Sequence, residues 1–435
     1  MRLRVCTLAF AAALPLRAFA QEPPPPIPPA AATPPSGEMP AAEKPASPQA
    51  PLTPAAPAAA VVVPAAPAPA AAAPTAPSPK FTFGGLVDTY YLYNFTPPSG
   101  ANSLAFPQTP NNMAVGRAFD TQANSFTLAL AKLSMNASLD PVSLQLDIGY
   151  GSVGTIINNA IDQNAGTIMT GLPAGGNSFL VEQAYGEIAL PGNLTLDFGK
   201  FVTTAGAEVI EANKNWLYSR SLLFNVIPLL HTGVRAGLKV SDQLTLQASL
   251  VNGWNNDPDF NAWKTVGLSA SVTVNPMFSG VLTTYFGKEG QPQPATGSTP
   301  GDLRFLLDLV VAAAINSQFG LNLNVDYIKA FDDVASDYQV GAAVMGRFVI
   351  SDHLNVAARG EFLATHYDDV AGSGISATIK QGEGTLMLGI DVGKNFELRP
   401  EVRADFAGDV MGAHVLEGGD KSTAVTGEIA ALTWF

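Results

Sequence analysis

The feature that most constrains this chain is a two-residue alternation of apolar and polar side chains, which recurs from about residue 81 to the C-terminus. In residues 396–406 (FELRPEVRADF), Phe396 and Phe406 share one face, and the other face carries five charges: Glu397, Arg399, Glu401, Arg403 and Asp405. A period of two is that of a β-strand, and a row of charges needs contact with water. The pattern therefore predicts strands that have one apolar face and one solvated face.

Sixteen such segments begin near residues 81, 123, 142, 178, 194, 231, 243, 264, 277, 302, 319, 337, 353, 380, 396 and 423. Short turns between them alternate with longer polar or glycine-rich loops. Outer-membrane barrels have an even number of strands, tight turns at the periplasmic end and longer loops at the outer end. The sequence therefore predicts an all-β fold, a transmembrane antiparallel up-and-down barrel of about 16 strands over residues 81–435, with both ends of the barrel at the periplasmic side.

Composition excludes several other classes of protein. Past the extreme N-terminus, no run of 18 or more apolar residues is free of proline or charge, which excludes a helical membrane protein. The hydrophobic content of 47% against 14% charged residues excludes a wholly disordered chain. The net charge of −13 argues against nucleic-acid binding, because phosphates attract a basic surface.

The N-terminus has two sections that precede the predicted barrel. Arg2 and Arg4 come before an apolar run, and Ala18-Phe19-Ala20 resembles a cleavage site, so residues 1–20 are predicted to be a signal peptide. Residues 21–80 contain 20 proline and 20 alanine residues. Such a composition cannot form a core, and we expect a disordered periplasmic linker of polyproline II and coil. It is either a passive tether or a spacer that contacts the cell wall.

Several motifs in the barrel region are similar to those of a known family. They are GLVDTYY at 85–91, RAFD at 117–120, NSF at 124–126, QAY at 183–185 and a run from GKF at 199–201 through EVIE at 208–211, YSRS at 218–221 and HTGVR at 231–235 to VNGW at 251–254. With these motifs the chain resembles the outer-membrane β-barrel porins called OmpL-like. The resemblance covers residues 81–435, and it implies an outer-membrane barrel with passive transport and no identified solute.

Residues 204–230 are the strongest candidate for a functional site. This connection combines many large apolar residues with four charges at Glu208, Glu211, Lys214 and Arg220. One interpretation folds it into the barrel mouth, where the apolar side packs on the wall and the four charges form a pore constriction. The alternative is an extracellular loop that packs on its neighbours.

Alternation also predicts which charges face the lumen. The acids are Asp88, Asp147, Glu187, Asp197, Asp308, Asp326, Glu361, Asp391, Glu397, Glu401 and Asp405, and the bases are Arg235, Lys239, Arg304, Arg347, Arg359, Arg399 and Arg403. Acids exceed bases by eleven to seven, which favours weak cation preference. Many of these groups are also expected to pair with one another across the wall.

Aromatic residues near the ends of strands predict a belt at the membrane interface. They are Tyr90, Tyr91, Tyr93, Phe95, Trp254, Tyr285, Phe286 and Tyr367. The last strand ends in Phe435, which resembles the signal that barrel-assembly machinery recognises in its clients.

The predicted function is a porin, a water-filled channel in the outer membrane for passive diffusion of small hydrophilic solutes, surrounded by outer-membrane lipid. Sixteen strands are wide enough for such a lumen. The alternative is a structural anchor, tethered to the cell wall through residues 21–80. The four histidines lie near different connections and no His or Cys cluster is present, so we expect neither catalysis nor a metal or other cofactor.

Overall fold

The computed structural model describes residues 78–96, 117–164, 177–259, 261–289, 302–331, 337–368, 375–408 and 422–435. The predicted signal peptide and nearly all of the predicted linker lie outside the described residues. The strands are β1 Lys80–Asn94, β2 Ser125–Leu139, β3 Val142–Tyr150, β4 Phe179–Leu190, β5 Leu194–Val202, β6 Leu230–Lys239, β7 Leu244–Val251, β8 Thr265–Asn275, β9 Phe278–Glu289, β10 Asp302–Ala314, β11 Phe319–Phe331, β12 Tyr338–Ser351, β13 Leu354–Tyr367, β14 Ala377–Asp391, β15 Phe396–Ala407 and β16 Thr423–Trp434. The described residues also contain an α-helix, α1, at Ser152–Asn164.

The sixteen strands form a closed barrel in which each strand pairs antiparallel with its neighbours in sequence and β1 pairs with β16. Connections that follow even-numbered strands are two to four residues long, and those that follow odd-numbered strands have six residues or more. The predicted all-β, up-and-down barrel of 16 strands is therefore confirmed. Among the described residues, no helix has the length and hydropathy needed to cross a membrane.

The alternation in sequence corresponds to the two faces of the wall. On β15, the charged residues from Glu397 to Asp405 are buried inside the barrel, whereas Val402 and Phe406 lie outside and are about half exposed. Apolar side chains cover the outer surface of the other strands in the same way. This outer face is suited to hydrocarbon, because lipid-facing and lumen-facing residues alternate in a membrane barrel.

The aromatic belt predicted from the sequence is only partly correct. Tyr93, Phe95 and Phe286 are exposed on the outer surface, but Tyr90, Trp254, Tyr285 and Tyr367 are buried. Tyr90 lies inside because neighbouring residues of a strand face opposite ways, and its hydroxyl accepts a hydrogen bond from the backbone N–H of Gln122 at 3.2 Å. The ring of Tyr285 stacks on His231 inside the barrel, with ring centroids 4.5 Å apart.

The C-terminal residue closes the seam between the first and last strands. The backbone N–H of Phe435 donates to the carbonyl of Gly85 at 3.1 Å, and the N–H of Gly85 donates back at 3.2 Å. A Cβ atom at Gly85 would lie 2.3 Å from the Phe435 ring. A side chain at position 85 would therefore require the exposed ring of Phe435 to move.

Candidate functional site

The connection between β5 and β6, residues 203–229, lies inside the barrel and is called the inner segment below. It contains two short 3₁₀ helices, Ala212–Lys214 and Leu223–Asn225. Seven strands contribute side chains that form hydrogen bonds or ion pairs with it, namely β1, β2, β9, β10, β11, β13 and β15. Because these strands lie on different sides of the barrel, the inner segment crosses the lumen.

Three arginines on β13 and β15 bind the inner segment on one side. Arg359 pairs with Glu208 at 3.0 Å and donates to the backbone carbonyl of Ser219 at 2.8 Å. Arg399 donates to the carbonyls of residues 212 and 215, and Arg403 donates to the carbonyl of Arg220 at 2.6 Å. All three arginines are buried. Hydrogen bonds from charged groups are among the stronger ones in proteins, so this wall holds the segment firmly.

Two glutamates on the same strands accept hydrogen bonds from backbone N–H groups of the inner segment. Glu401 accepts from Tyr218 at 2.8 Å, and Glu361 accepts from Leu222 at 2.6 Å. These N–H groups belong to irregular backbone, which has no helix or sheet partner of its own. The carboxylates therefore satisfy donors that would otherwise be buried without a partner.

Beyond the seam between β16 and β1, Lys132 of β2 joins the inner segment to the wall. Its ammonium group lies 2.7 Å from Glu182, 2.7 Å from Glu211 and 3.2 Å from Asp147. Lys214 also pairs with Glu211 at 2.7 Å. Burial acts to raise the pKa of Glu211, but the two ammonium groups outweigh it and hold the pKa well below its ordinary value. Glu211 is therefore ionised and pairs with both Lys132 and Lys214.

A third attachment uses neutral and acidic groups of β10 and β11. The backbone N–H of Gly206 donates to Asp308 at 3.0 Å, and that of Ala207 donates to Asn324 at 3.1 Å. Asn324 in turn donates to Asp308 at 2.7 Å and to Asp326 at 3.2 Å. This amide connects two carboxylates that face each other on neighbouring strands.

Apolar side chains of the inner segment pack against the wall in three clusters. Tyr218 and Phe224 lie against β1, β2 and β16, Leu217 and Leu223 against β12 to β14, and Ile227 against β10 and β11. The Tyr218 hydroxyl also donates to Asp88 at 2.9 Å. Burial and the Asp88 carboxylate raise the pKa of Tyr218 well above its ordinary value, so the hydroxyl keeps its proton. Each cluster removes apolar surface from water and stabilises the folded segment.

The four charges predicted to form a constriction have different surroundings. Glu208, Glu211 and Arg220 are buried, with exposed fractions of 6%, 6% and 3%. Arg220 donates to backbone carbonyls of the inner segment itself, including that of Ile210 at 2.6 Å. The side chain of Lys214, in contrast, is 40% exposed. Of these four side chains, Lys214 has the greatest contact with the open part of the lumen.

The predicted lumen charges fall into two groups. Arg359, Glu361, Arg399, Glu401 and Arg403 contact the inner segment, while Glu397 and Asp405 pair with Arg399 and Arg403 on the same strand. Arg235 lies apart from them on β6, where it pairs with Asp197 of β5 at 2.7 Å. The first group therefore supports the segment, and Arg235 supports the wall.

Sequence reasoning missed Glu182, which is fully buried next to Lys132. The residue lies at a β-bulge: Asp147 pairs with Gln183 and Ile148 pairs with Val181, so Glu182 has no partner on β3. A bulge shifts the alternation by one residue, and Glu182 and Gln183 are both buried as a result. The QAY motif marks the place, but alternation alone assigns Glu182 to the outer face.

Arg117, Asp120 and Glu428 were also missed as interior charges. Arg117 pairs with Asp120 and, at 3.2 Å, with Glu428 of β16. It also donates to Thr426 at 2.9 Å. The RAFD motif at residues 117–120 is the signal that could have indicated this network, which adds a second loop to the filling of the lumen.

A cavity of about 440 Å³ lies between the inner segment and strands β7 to β11. It extends to the short turn before Phe278 and so opens toward the periplasmic end. Its wall carries mostly hydroxyl, amide and small apolar side chains, namely Thr245, Gln247, Ser269, Ser271, Thr273, Ser279, Val281, Val310, Ala312 and Asn322. Among the described residues that line it, the charged ones are Glu208 and Lys214.

The described histidines contact backbone or side-chain groups of the protein itself. His231 is buried with its Nδ1 atom 2.9 Å from the carbonyl of Gly253, and His366 lies 3.0 Å from Asp368 at the end of β13. His414 lies outside the described residues. No group of three or more His, Cys, Asp or Glu side chains in the described part of the chain has a geometry that could hold a metal ion.

Solved structures share this architecture. OmpT of Vibrio cholerae, in-vitro folded and in trimer form, aligns with a TM-score of 0.53 and 11% identity, over 82% of this chain and 100% of that chain. The outer membrane channel DcaP of Acinetobacter baumannii aligns with a TM-score of 0.52 and 12% identity, over 82% and 98%. An anion-selective porin from Comamonas acidovorans gives 0.52 and 10%, over 82% and 100%. At such identities the similarity shows the fold.

A family profile described as "Putative beta-barrel porin-2, OmpL-like" matches residues 80–435. A comparison with curated proteins found no match. The profile covers the barrel from the first residue of β1 to the last residue of the chain, including the inner segment and the wall that binds it. This chain is therefore a member of the OmpL-like β-barrel porin family, located in the outer membrane.

Proposed function

We propose that this protein is a porin that allows small hydrophilic solutes to diffuse passively across the outer membrane, with a weak preference for cations. The observation that carries the proposal is the arrangement of the lumen. The inner segment is bound to the charged wall of β13 and β15 and to single side chains of β9, β10 and β11, which leaves a cavity that β7 and β8 line with neutral side chains. Solutes would pass along this neutral side.

The cation preference rests on the surplus of acidic groups inside the barrel. The arginines of β13 and β15 are occupied by the inner segment and by neighbouring carboxylates. The acids predicted to face the lumen number eleven and the bases seven, so acids remain in excess even if each base pairs with one of them. Fixed negative charge raises the local concentration of cations, and added salt screens the effect.

Reconstitution in a planar bilayer tests both parts of the proposal. We expect a steady ion current in potassium chloride, and a reversal potential in a salt gradient that indicates cation preference, strongest in dilute salt. Folded protein that carries no current would refute the channel. Anion preference in dilute salt would refute the selectivity while leaving the channel in place.

A structural anchor is the second candidate. The attachment of the inner segment to seven strands favours it, since so many contacts are also what a plug would need. The linker over residues 21–80 would then tether the barrel to the cell wall. Deletion of residues 22–79 should weaken the envelope under this proposal and leave conductance unchanged under the first.

We also propose that Phe435 is read by the barrel-assembly machinery. Its side chain is 74% exposed, whereas its backbone pairs with Gly85 at the seam. A ring that faces outward is accessible to a partner while the last strand joins the first. Replacement of Phe435 by alanine should reduce the amount of folded barrel in the membrane, and an unchanged amount would contradict this role.

A further inference from the structure

The cavity beside β7 to β11 has a face made of hydrogen-bonding side chains. Thr245 and Gln247 of β7 point to it, and their direct partners in register on β8 are Ser271 and Ser269. The pairs Thr245–Ser271 and Gln247–Ser269 therefore form one patch of hydroxyl and amide groups on the wall. Asn322 of β11 adds an amide farther round the cavity.

Most of this hydrogen-bonding capacity is unused within the protein. Among the described residues, the side chains of Thr245, Gln247 and Ser271 form no hydrogen bond, and the buried Oδ1 atom of Asn322 has no partner. Ser269 is already partnered, since its hydroxyl lies 3.1 Å from that of Thr283, which also lies 3.0 Å from the carbonyl of Thr204. Thr245, Gln247 and Ser271 are half-buried and face the cavity, so water or a solute that enters can take up these free donors and acceptors.

The other side of the cavity is apolar and aromatic. Trp216 of the inner segment reaches the wall where β11 has Gly320, because a Cβ atom there would lie 3.1 Å from the edge of the indole ring. On the wall itself, Val281 of β9 pairs in register with Ser271, and Val310 and Ala312 of β10 come next, so apolar side chains border the polar patch. A molecule between these faces would have hydroxyls on one side and C–H groups on the other.

Charge in the cavity is already neutralised. Lys214 pairs with Glu211 at 2.7 Å, and Glu208 pairs with Arg359 at 3.0 Å. An ion that entered would have to compete with these pairs to gain a partner of opposite charge. The lining therefore favours neutral solutes over ionic ones.

We propose that this cavity is a binding site for small uncharged polyhydroxylated solutes, which pause there during passage. Hydroxyl and amide side chains both donate and accept, as the hydroxyls of such a solute do, and Trp216 offers a flat surface for its C–H groups. The volume of about 440 Å³ lies in the range of small-molecule sites. The proposal rests on the channel function, and it identifies the class of solute.

Glucose is the probe, and its effect on potassium chloride current through the purified protein in a planar bilayer is the measurement. We expect glucose to reduce the current in a saturable way, with an affinity in the millimolar range. The double variant Gln247→Leu with Ser271→Ala should bind glucose about tenfold more weakly, since it removes two hydrogen-bonding side chains from the patch. Gluconate, which is similar in size but charged, should block the current much less than glucose does at the same concentration.

The matched control is Gln145→Leu, the same change at a half-buried glutamine on β3, which faces the lumen but does not line the cavity. It should leave the glucose effect unchanged. A current that glucose does not reduce, or equal losses in the control and the double variant, would overturn the proposed site. Absence of any current in potassium chloride would instead refute the channel function, so the two failures are distinguishable. Residual current in each variant shows that it has folded.

Discussion

Arg359 is the residue whose replacement should most clearly release the inner segment from the wall. Its guanidinium is fully buried and pairs with Glu208 at 3.0 Å, and it donates to the carbonyl and the hydroxyl of Ser219 at 2.8 and 3.2 Å. It also pairs with Glu383 of β14. The variant Arg359→Met keeps an unbranched apolar stem and removes every donor. Glu208, Glu361 and Glu383 would then lose the cation they share.

The expected cost follows from these contacts. Removing one partner of a buried ion pair costs about 3–5 kcal/mol, because the remaining charge stays buried without compensation. Arg403, 3.8 Å from Glu383, can compensate for part of this loss. A change of about 3–5 kcal/mol shifts the equilibrium between docked and released segment by about two to three and a half orders of magnitude. We therefore expect a measurable population of channels with a released segment.

Single-channel recording is the assay, because a released segment widens the lumen. Arg359→Met should show larger or fluctuating conductance and faster proteolysis within residues 203–229. The double variant with Glu208→Gln should recover part of the docked state, since it removes one of the stranded charges. Arg235→Met is the matched control, because Arg235 is equally buried but pairs with Asp197 on the wall.

The reasoning would be refuted by a folded Arg359→Met barrel whose conductance, noise and proteolysis equal those of the unmodified protein. It would also be refuted by a control variant that opens to the same extent, because the effect would then reflect general weakening of the barrel. A double variant that is less docked than Arg359→Met alone would contradict the role assigned to the Glu208 charge.

Three further changes test other parts of the structure. Lys214→Gln should strengthen cation preference, because it removes the more exposed charge of the cavity; an unchanged reversal potential in dilute salt would contradict this. Gly233→Ala should lower the yield of folded barrel on gels run without heating, since a Cβ atom there would lie 2.3 Å from the backbone carbonyl oxygen of Leu250 on the paired strand and would cost about 1–3 kcal/mol, whereas Gly360→Ala has nothing within 4 Å and should not. Equal yields would show that the wall tolerates a side chain at position 233. The pKa of Glu211 is lower in the folded protein than in an unfolded chain, so its contribution to stability is complete above the ordinary carboxyl pKa and is lost as the pH falls toward the lowered value. The ion pairs of Glu211 with Lys132 and Lys214 should therefore persist in mild acid, where Glu211→Gln should release the inner segment to proteolysis faster than the unmodified protein; equal rates at mildly acidic pH would refute the assignment.

Much of the barrel was predictable because the signals that specify it are local. Side-chain direction alternates along any strand, so the charges from Glu397 to Asp405 could be assigned to one face without knowledge of their neighbours. The strand number and the alternation of short and long connections follow from the same reading. The apolar character of residues 204–230 indicated a segment that needs burial, for the same local reason.

The partners of the interior charges were decided by the tertiary structure. Lys132 meets Glu182 and Glu211, which are distant in sequence, and a bulge turns Glu182 inward against the local alternation. The open side of the lumen was likewise not predictable, since it depends on where the inner segment docks. Three arginines on β13 and β15 bind its backbone carbonyls and Glu208, and the cavity remains next to the neutral side chains of β7 and β8. The partners of these charges and the docking position of the inner segment depend on interaction energies between residues that become neighbours only once the barrel has closed. The pattern of residues along the chain does not contain those energies.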